Sequence, residues 1–187
     1  LMGFFAKLFG LFSSKKKVKI ILVGLDNSGK TTVVNWLKPK KRSTEVIETA
    51  PTVSYNVETF TKKNFNFTMF DMSGQTKYRD LWEKYYSDVN GIIFVLDSAD
   101  RMRFAVAKNE LDMLLLHKDI KDKNIPILFY ANKMDKEGAA SPQEFVDMLN
   151  LENLTDRSWH IGASDARKGE GLEDGLKWLI EKLAEKK

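Results

Sequence analysis

The segment Gly24-Leu25-Asp26-Asn27-Ser28-Gly29-Lys30-Thr31 spells G-x-x-x-x-G-K-T and constrains this chain more than any other stretch. It follows the apolar run Val18 to Val23, which reads as a strand buried on both faces. It precedes Thr32 to Lys38, which reads as a helix start. Strand, loop and helix in that order are the setting in which such a loop holds phosphate. Glycines let successive backbone N–H groups turn inward toward a polyphosphate, and the helix N-terminus adds the positive end of its dipole. On this reading Gly24, Leu25, Asp26, Asn27, Ser28 and Gly29 line the cofactor, with Thr32 just beyond them. Lys30 reaches the β- and γ-phosphates, and the Thr31 hydroxyl ligates Mg²⁺.

At 187 residues and 43% hydrophobic, the chain suits one compact domain with a full core. No apolar run approaches the ~20 residues of a membrane span. Zero cysteines exclude disulfides and thiolate metal sites, and two histidines leave little for a zinc cluster. That composition is compatible with a reducing cytosol. The net charge of +4 comes partly from Lys15-Lys16-Lys17, Lys38-Pro39-Lys40-Lys41-Arg42 and Lys186-Lys187. These basic residues are not interleaved with aromatics along one face, so nucleic acid is not expected as a partner. Localised basic ends fit an anionic surface better.

Strands are predicted at Val18–Val23, Val53–Phe60, Phe65–Asp71, Gly91–Asp97, Ile125–Asn132 and Trp159–Gly162. The second and third are separated by Thr61-Lys62-Lys63-Asn64, a hairpin length. Helix-length segments separate the rest: Thr32–Lys38, Phe104–His117, Pro142–Leu149 and Leu172–Lys187. Ser141-Pro142-Gln143-Glu144 carries the marks of a capping box. The expected fold is α/β: a six-stranded, mostly parallel sheet with one antiparallel hairpin and helices on both faces.

The phosphate loop alone leaves kinases, ATPases and GTPases open. Asn132-Lys133-Met134-Asp135 narrows that choice, because it ends a strand, where an open α/β sheet presents ligands. Asp135 can accept two hydrogen bonds from guanine N1–H and the 2-amino group, a pattern adenine does not supply. Lys133 can lie along the base face, and Asn132 can tie this loop to the phosphate loop. Between the two motifs, Asp71-Met72-Ser73-Gly74-Gln75 has the form D-x-x-G. Asp71 would hold Mg²⁺ through water, the Gly74 N–H would meet the γ-phosphate, and Gln75 would orient the attacking water. Pro51-Thr52 offers a second Mg²⁺-binding hydroxyl, available when its loop folds over a triphosphate. Gln75, Lys30 and Thr52 are therefore the catalytic candidates, and Thr31, Thr52 and Asp71 the metal candidates.

On these motifs the chain resembles the Arf-like branch of the small GTPases over essentially its whole length. Gly24-Leu25-Asp26, Pro51-Thr52-Val53, Trp82-Glu83-Lys84-Tyr85-Tyr86 and Asp97-Ser98-Ala99-Asp100-Arg101 carry the likeness. Finer tokens narrow it to members that recruit the ciliary coat lost in Bardet–Biedl syndrome. They are Phe70–Gln75, Val106–Asp112, Ala131–Asp135 and Trp159–Ala166. The resemblance implies a P-loop NTPase G domain over 18–187 that binds GTP or GDP with Mg²⁺ and hydrolyses GTP. It implies an exchange factor and a GTPase-activating protein as partners. It also implies an effector greeted through Tyr55, Phe70 and Tyr85, although core packing would place the same aromatics. Asp165 and Ala166 fall in the last base-contacting loop, where the Ala166 N–H would meet guanine O6. Asp165 stands where a serine or cysteine is usual, and Ser73 where Arf proteins have glycine.

Asp26 occupies the turn nearest the γ-phosphate, where most other small GTPases have glycine. A carboxylate beside that charge is expected to disfavour the arrangement of Gln75 and water. No arginine stands out as a built-in finger, so hydrolysis is expected to be slow until one is supplied in trans, an effect of ~10³–10⁵. Two rival readings stay open: a guanine-nucleotide scaffold that does not hydrolyse, and a nucleotide kinase on the same loop. The kinase would need a substrate pocket and usually a lid.

Residues 1–17 read as an amphipathic helix with a basic linker. Phe4, Phe5, Leu8, Phe9, Leu11 and Phe12 share an arc of roughly 160° on a helical wheel. A helix this short needs a surface, either a groove on its own domain or a bilayer interface. Lys15-Lys16-Lys17 would add ~1 kcal/mol each near an anionic leaflet. The segment lacks the basic leader and cleavage site of a secretory signal. The carboxyl end has no cysteine for prenylation, and Lys7 stands where a myristoylation signal has serine or threonine. Leu1 ahead of Met2 reads as a cloning remnant that would block acylation at Gly3. The resemblance implies that GTP makes the Val53–Asp71 hairpin slide in register and eject this helix toward membrane. Localisation is then cytoplasmic with reversible membrane association, at the cilium or its base.

Overall fold

The computed structural model describes residues 15–39 and 52–186. The amphipathic segment Gly3–Phe12, residues 40–42 of the basic run, Pro51 and Lys187 lie outside the described residues.

Hydrophobic runs without alternation become strands covered on both sides, in the first strand only from Ile20 onward. These are β1 (Lys16–Val23), β4 (Gly91–Asp97) and β5 (Ile127–Asn132). With β2 (Tyr55–Lys62), β3 (Phe65–Met72) and β6 (Trp159–Ser164) they form a six-stranded sheet in the order β2-β3-β1-β4-β5-β6. Only the β2–β3 pair is antiparallel. Its turn is the pair Lys63-Asn64, tighter than the four residues expected, with Lys63 at φ +52°. Parallel strands discharge their following loops at one edge of the sheet, so the segments after β1, β3, β5 and β6 meet there. β6 runs two residues past its predicted end, carrying the chain to Ser164 at that edge.

The helices are α1 (Lys30–Leu37), α2 (Phe104–Leu116), the short α3 (Lys118–Lys121), α4 (Pro142–Leu149) and α5 (Leu172–Glu185). Successive β1 side chains feed opposite faces of the sheet. Ile20 and Leu22 pack with Val33, Val34 and Leu37 of α1 and Leu172, Leu176 and Leu179 of α5. Ile21 and Val23 pack with Leu111 and Leu114 of α2 and Phe145 and Leu149 of α4. In α5 the apolar side recurs at helical spacing, and Tyr130 of β5 donates its hydroxyl to Leu172 O at 2.7 Å.

One long element has no periodic signal. Thr76–Asp88 forms successive 3₁₀ turns in which only Trp82 and Tyr86 are buried. Runs of 3₁₀ this long are uncommon and tend to mark hinges. Trp82 pins it to the sheet end by donating to Ser73 O at 2.9 Å.

The capping box of α4 forms as expected. Ser141 Oγ accepts the Glu144 N–H at 3.2 Å, and Glu144 Oε2 accepts the Ser141 N–H at 2.8 Å. Ser141→Ala is expected to lower stability by ~1 kcal/mol in urea denaturation, with nucleotide affinity unchanged because α4 is held to the core by Phe145 and Leu149 independently of its cap.

Candidate functional site

The loop between β1 and α1 curls so that the first turn of α1 faces the sheet edge. Gly29 opens that turn at φ +98° with no side-chain cap, leaving helix N–H groups for an anion. A Cβ on Gly29 would lie 2.4 Å from Asn132 Nδ2, so the glycine also admits the loop after β5. Lys30 is buried, and its Nζ donates to Gly24 O at 3.0 Å and Leu25 O at 2.7 Å. Burial pulls its ammonium down to about 8, while the Asp71 and Asp26 carboxylates oppose the fall. Phosphate oxygens at this position would favour the charged form.

Three segments remote in sequence converge beside Lys30. Thr31 Oγ1 donates to Asp71 Oδ2 at 2.6 Å and lies 2.9 Å from Thr52 Oγ1. Thr52 Oγ1 is 3.5 Å from the same carboxylate oxygen. Burial pushes the Asp71 carboxyl up, with the Thr31 hydrogen bond opposing. Its Oδ1 is buried and has no hydrogen-bond partner among the described residues. Two hydroxyls and one carboxylate, one of whose oxygens is orphaned, fit a hard divalent cation that keeps water and takes phosphate ligands.

After β3, the chain presses back on the phosphate loop. An added Cβ on Gly74 would lie 2.2 Å from both Asp26 N and Leu25 C. Ser73 is buried, donates its N–H to Ser54 O at 2.9 Å and is not among the residues with positive φ. Serine therefore sits here without backbone strain. Gln75 is half-buried at the start of the 3₁₀ run, beside Gly74.

The loops after β5 and β6 are joined through one amide. Asn132 Nδ2 donates to Ser28 O at 2.8 Å, tying the phosphate loop to this end of the sheet. Asn132 Oδ1 accepts from Ser164 Oγ at 3.2 Å and from the Ala166 N–H at 3.0 Å. The N–H expected to face guanine O6 thus already has an acceptor, and a base contact would share it. Lys133 adopts φ +66° and places Nζ 2.6 Å from Asp97 Oδ2. Asp135 is an exposed residue whose carboxylate, itself partly covered, lies 3.8 Å from the Lys136 ammonium. The departure at Asp165 is structural: its buried carboxylate accepts the Arg167 N–H at 2.9 Å and the Lys168 N–H at 3.4 Å, closing the turn.

Asp26 has partners that the sequence did not foretell. Its carboxylate does not stand alone near the phosphates: Arg103 Nη1 donates to it at 2.9 Å and Arg79 Nη2 lies 3.7 Å away. Neither arginine carries a motif, and no local spacing could have found them. The Tyr55, Phe70 and Tyr85 rings do assemble, with centroids 5.1 Å and 4.9 Å from Tyr85. Phe70 and Tyr85 pack against the core, while Tyr55, Val53 and Val57 stay exposed. The core-packing reading thus holds for Phe70 and Tyr85, while Tyr55 stays open to solvent.

A phosphate loop, a cation cluster and a base-edge loop on one sheet edge define a P-loop nucleotide-binding protein. The family model described as "Arf: ADP-ribosylation factor family" matches residues 4–183. The chain is 51% identical to ADP-ribosylation factor-like protein 6 of Danio rerio over 183 residues, 97% of each chain. It is 43% identical to ADP-ribosylation factor-like protein 1 of Saccharomyces cerevisiae over 175 residues, 94% of this chain and 92% of that one. Its fold superposes with a TM-score of 0.85 and 42% identity on the Arl6 BBS3 small GTPase from Trypanosoma brucei with bound nucleotide analogue GppNp, covering 92% of this chain and all of that one. The chain belongs to the ADP-ribosylation factor family of small GTPases. It binds GTP and GDP with Mg²⁺ and hydrolyses GTP to GDP and phosphate. When bound, Mg²⁺ neutralises charge across the β- and γ-phosphates.

Proposed function

We propose that this protein is a switch whose GTP state recruits an effector to membrane, and that the effector is the Bardet–Biedl ciliary coat complex. The observation that carries the reading is the meeting of Thr31, Thr52 and Asp71 while Gly74 lies on the phosphate loop. This meeting supports a reading in which both switch segments sense a γ-phosphate, so that a single lost phosphate would release both. The residues assigned to the nucleotide are Gly24 to Thr32, Thr52, Gly74, Asn132, Lys133, Asp135, Asp165 and Ala166, with Gln75 orienting water. The Tyr55–Phe70–Tyr85 cluster with exposed Val53 and Val57 supports an effector surface adjoining the switches.

Hydrolysis is slow in this reading because neither nearby arginine is free. Arg79 is held by the Gly74 carbonyl and Glu110, and Arg103 by Asp26 and Asp100. An activating protein would supply the missing cation, and an exchange factor would open the site. Residues 18–187 form the switch domain, and residues 1–17 supply the membrane contact at the cilium or its base. No helix among the described residues is long and apolar enough to cross a membrane, so surface attachment suits this role.

The test uses the full chain on anionic liposomes in ciliated-cell extract, loaded with GDP or a non-hydrolysable GTP analogue. Sedimented liposomes should carry the protein and the coat subunits only with the analogue. Equal sedimentation in both states, or analogue-dependent binding without coat subunits, overturns the membrane or the effector half respectively.

A further inference from the structure

Helix α2 holds both sides of the crevice where the second switch meets the phosphate loop. On one side, Glu110 Oε1 accepts from Arg79 Nη1 at 2.7 Å, and Arg79 Nε donates to Gly74 O at 2.9 Å. Both side chains are nearly buried, at 10% and 9% exposure. On the other side, Arg103 immediately before α2 grips Asp26 twice, through Oδ1 at 2.9 Å and the backbone O at 3.2 Å. Asp100 Oδ2 in turn accepts from Arg103 Nε at 2.6 Å. Ala107, Leu111 and Leu114 fix α2 to the sheet, so these grips hang from a rigid support.

We propose that Arg79 and Glu110 are positioning residues that latch the second switch in its closed place, and so set how strongly this protein prefers triphosphate to diphosphate. The inference rests on the reading in which the Gly74 N–H meets the γ-phosphate. A guanidinium offers several donors in one plane, so it serves a carbonyl and a carboxylate together, which an ammonium on a flexible stem does poorly. Holding Gly74 O also fixes the planar peptide it shares with Gln75, and hence the starting direction of the water-orienting residue. When the switch lifts, Gly74 O leaves and the buried guanidinium loses an acceptor. The latch therefore contributes to the closed state and to no other, which is the condition for shifting a two-state equilibrium.

The test titrates wild type, Arg79→Lys and Glu110→Gln with fluorescent GDP and a fluorescent non-hydrolysable GTP analogue in Mg²⁺. Analogue affinity should fall between about tenfold and a hundredfold, the range for one charged hydrogen bond. GDP affinity should stay within about twofold, because neither side chain reaches the nucleotide. Parallel losses for both nucleotides would mean that the pair merely supports the fold, and unchanged analogue affinity would mean that it latches nothing; either result overturns the proposal. Both substitutions are close in shape, and a melt of the GDP-bound form identifies a variant that fails to fold, leaving the other to decide. Gly74→Ala in parallel separates the two layers. If it weakens analogue binding while the latch variants do not, only the latch is wrong. If it too leaves the analogue untouched, the γ-phosphate reading of Gly74 is wrong.

Discussion

Asp135→Asn should lower GTP affinity by about 10²–10⁴-fold and create affinity for xanthosine triphosphate. The aspartate offers two acceptor oxygens to guanine N1–H and the 2-amino group. Hydrogen bonds to a charged acceptor contribute about 1.5–3 kcal/mol each, and two of them give that range. Asparagine replaces one acceptor with a donor, which then faces a donor on guanine. Xanthine carries a carbonyl at the same carbon, so the mismatch becomes a match. The fold should survive, because Asp135 is an exposed residue, asparagine has nearly its shape, and its ion pair with Lys136 is long at 3.8 Å. Competition titration with GTP and xanthosine triphosphate reads the outcome directly. Loss of both ligands, or retention of GTP, would show that Asp135 does not read the base.

Gly74→Ala carries the second large effect. The added Cβ would meet Asp26 N and Leu25 C at 2.2 Å and Leu25 O at 2.5 Å, all backbone atoms that cannot rotate away. Either the phosphate loop or the second switch has to move, and the switch rests on 3₁₀ turns with two buried residues, so it should yield. Overpacking of this kind costs ~1–3 kcal/mol. Affinity for a triphosphate analogue should therefore fall by about 5- to 150-fold, while GDP, which needs no closed switch, is retained. Stopped-flow binding of both nucleotides checks this. An analogue affinity matching wild type would mean that the Gly74 N–H does not meet the γ-phosphate in a closed switch.

Most of the candidate site's geometry was legible because its parts are contiguous. G-x-x-x-x-G-K-T, D-x-x-G and N-K-x-D each place their groups within a few residues at the end of a strand, and a period-2 or apolar-run pattern marks those strands. The capping box at Ser141 was legible for the same reason. The Thr76–Asp88 run was not, since 3₁₀ turns with two buried anchors leave neither helical nor strand periodicity. Asp165 read only as a departure from the usual serine or cysteine; that its carboxylate closes its own turn depends on where Arg167 and Lys168 point their N–H groups.

The amino-acid sequence determined the α/β class, the guanine-nucleotide chemistry and the family, because local motifs set backbone shape and donor patterns without reference to distant partners. Only the tertiary structure decided how those parts are coupled. Asn132 reaches Ser28 across 104 residues, Arg103 reaches Asp26 across 77, and Arg79 reaches Glu110 across 31. Ion pairs and side-chain hydrogen bonds act over a few ångströms in space and leave no spacing rule in the chain. Parallel strands bring those residues to one edge, and there the Asp26 carboxylate, expected as an obstacle to hydrolysis, is also the acceptor that occupies an arginine.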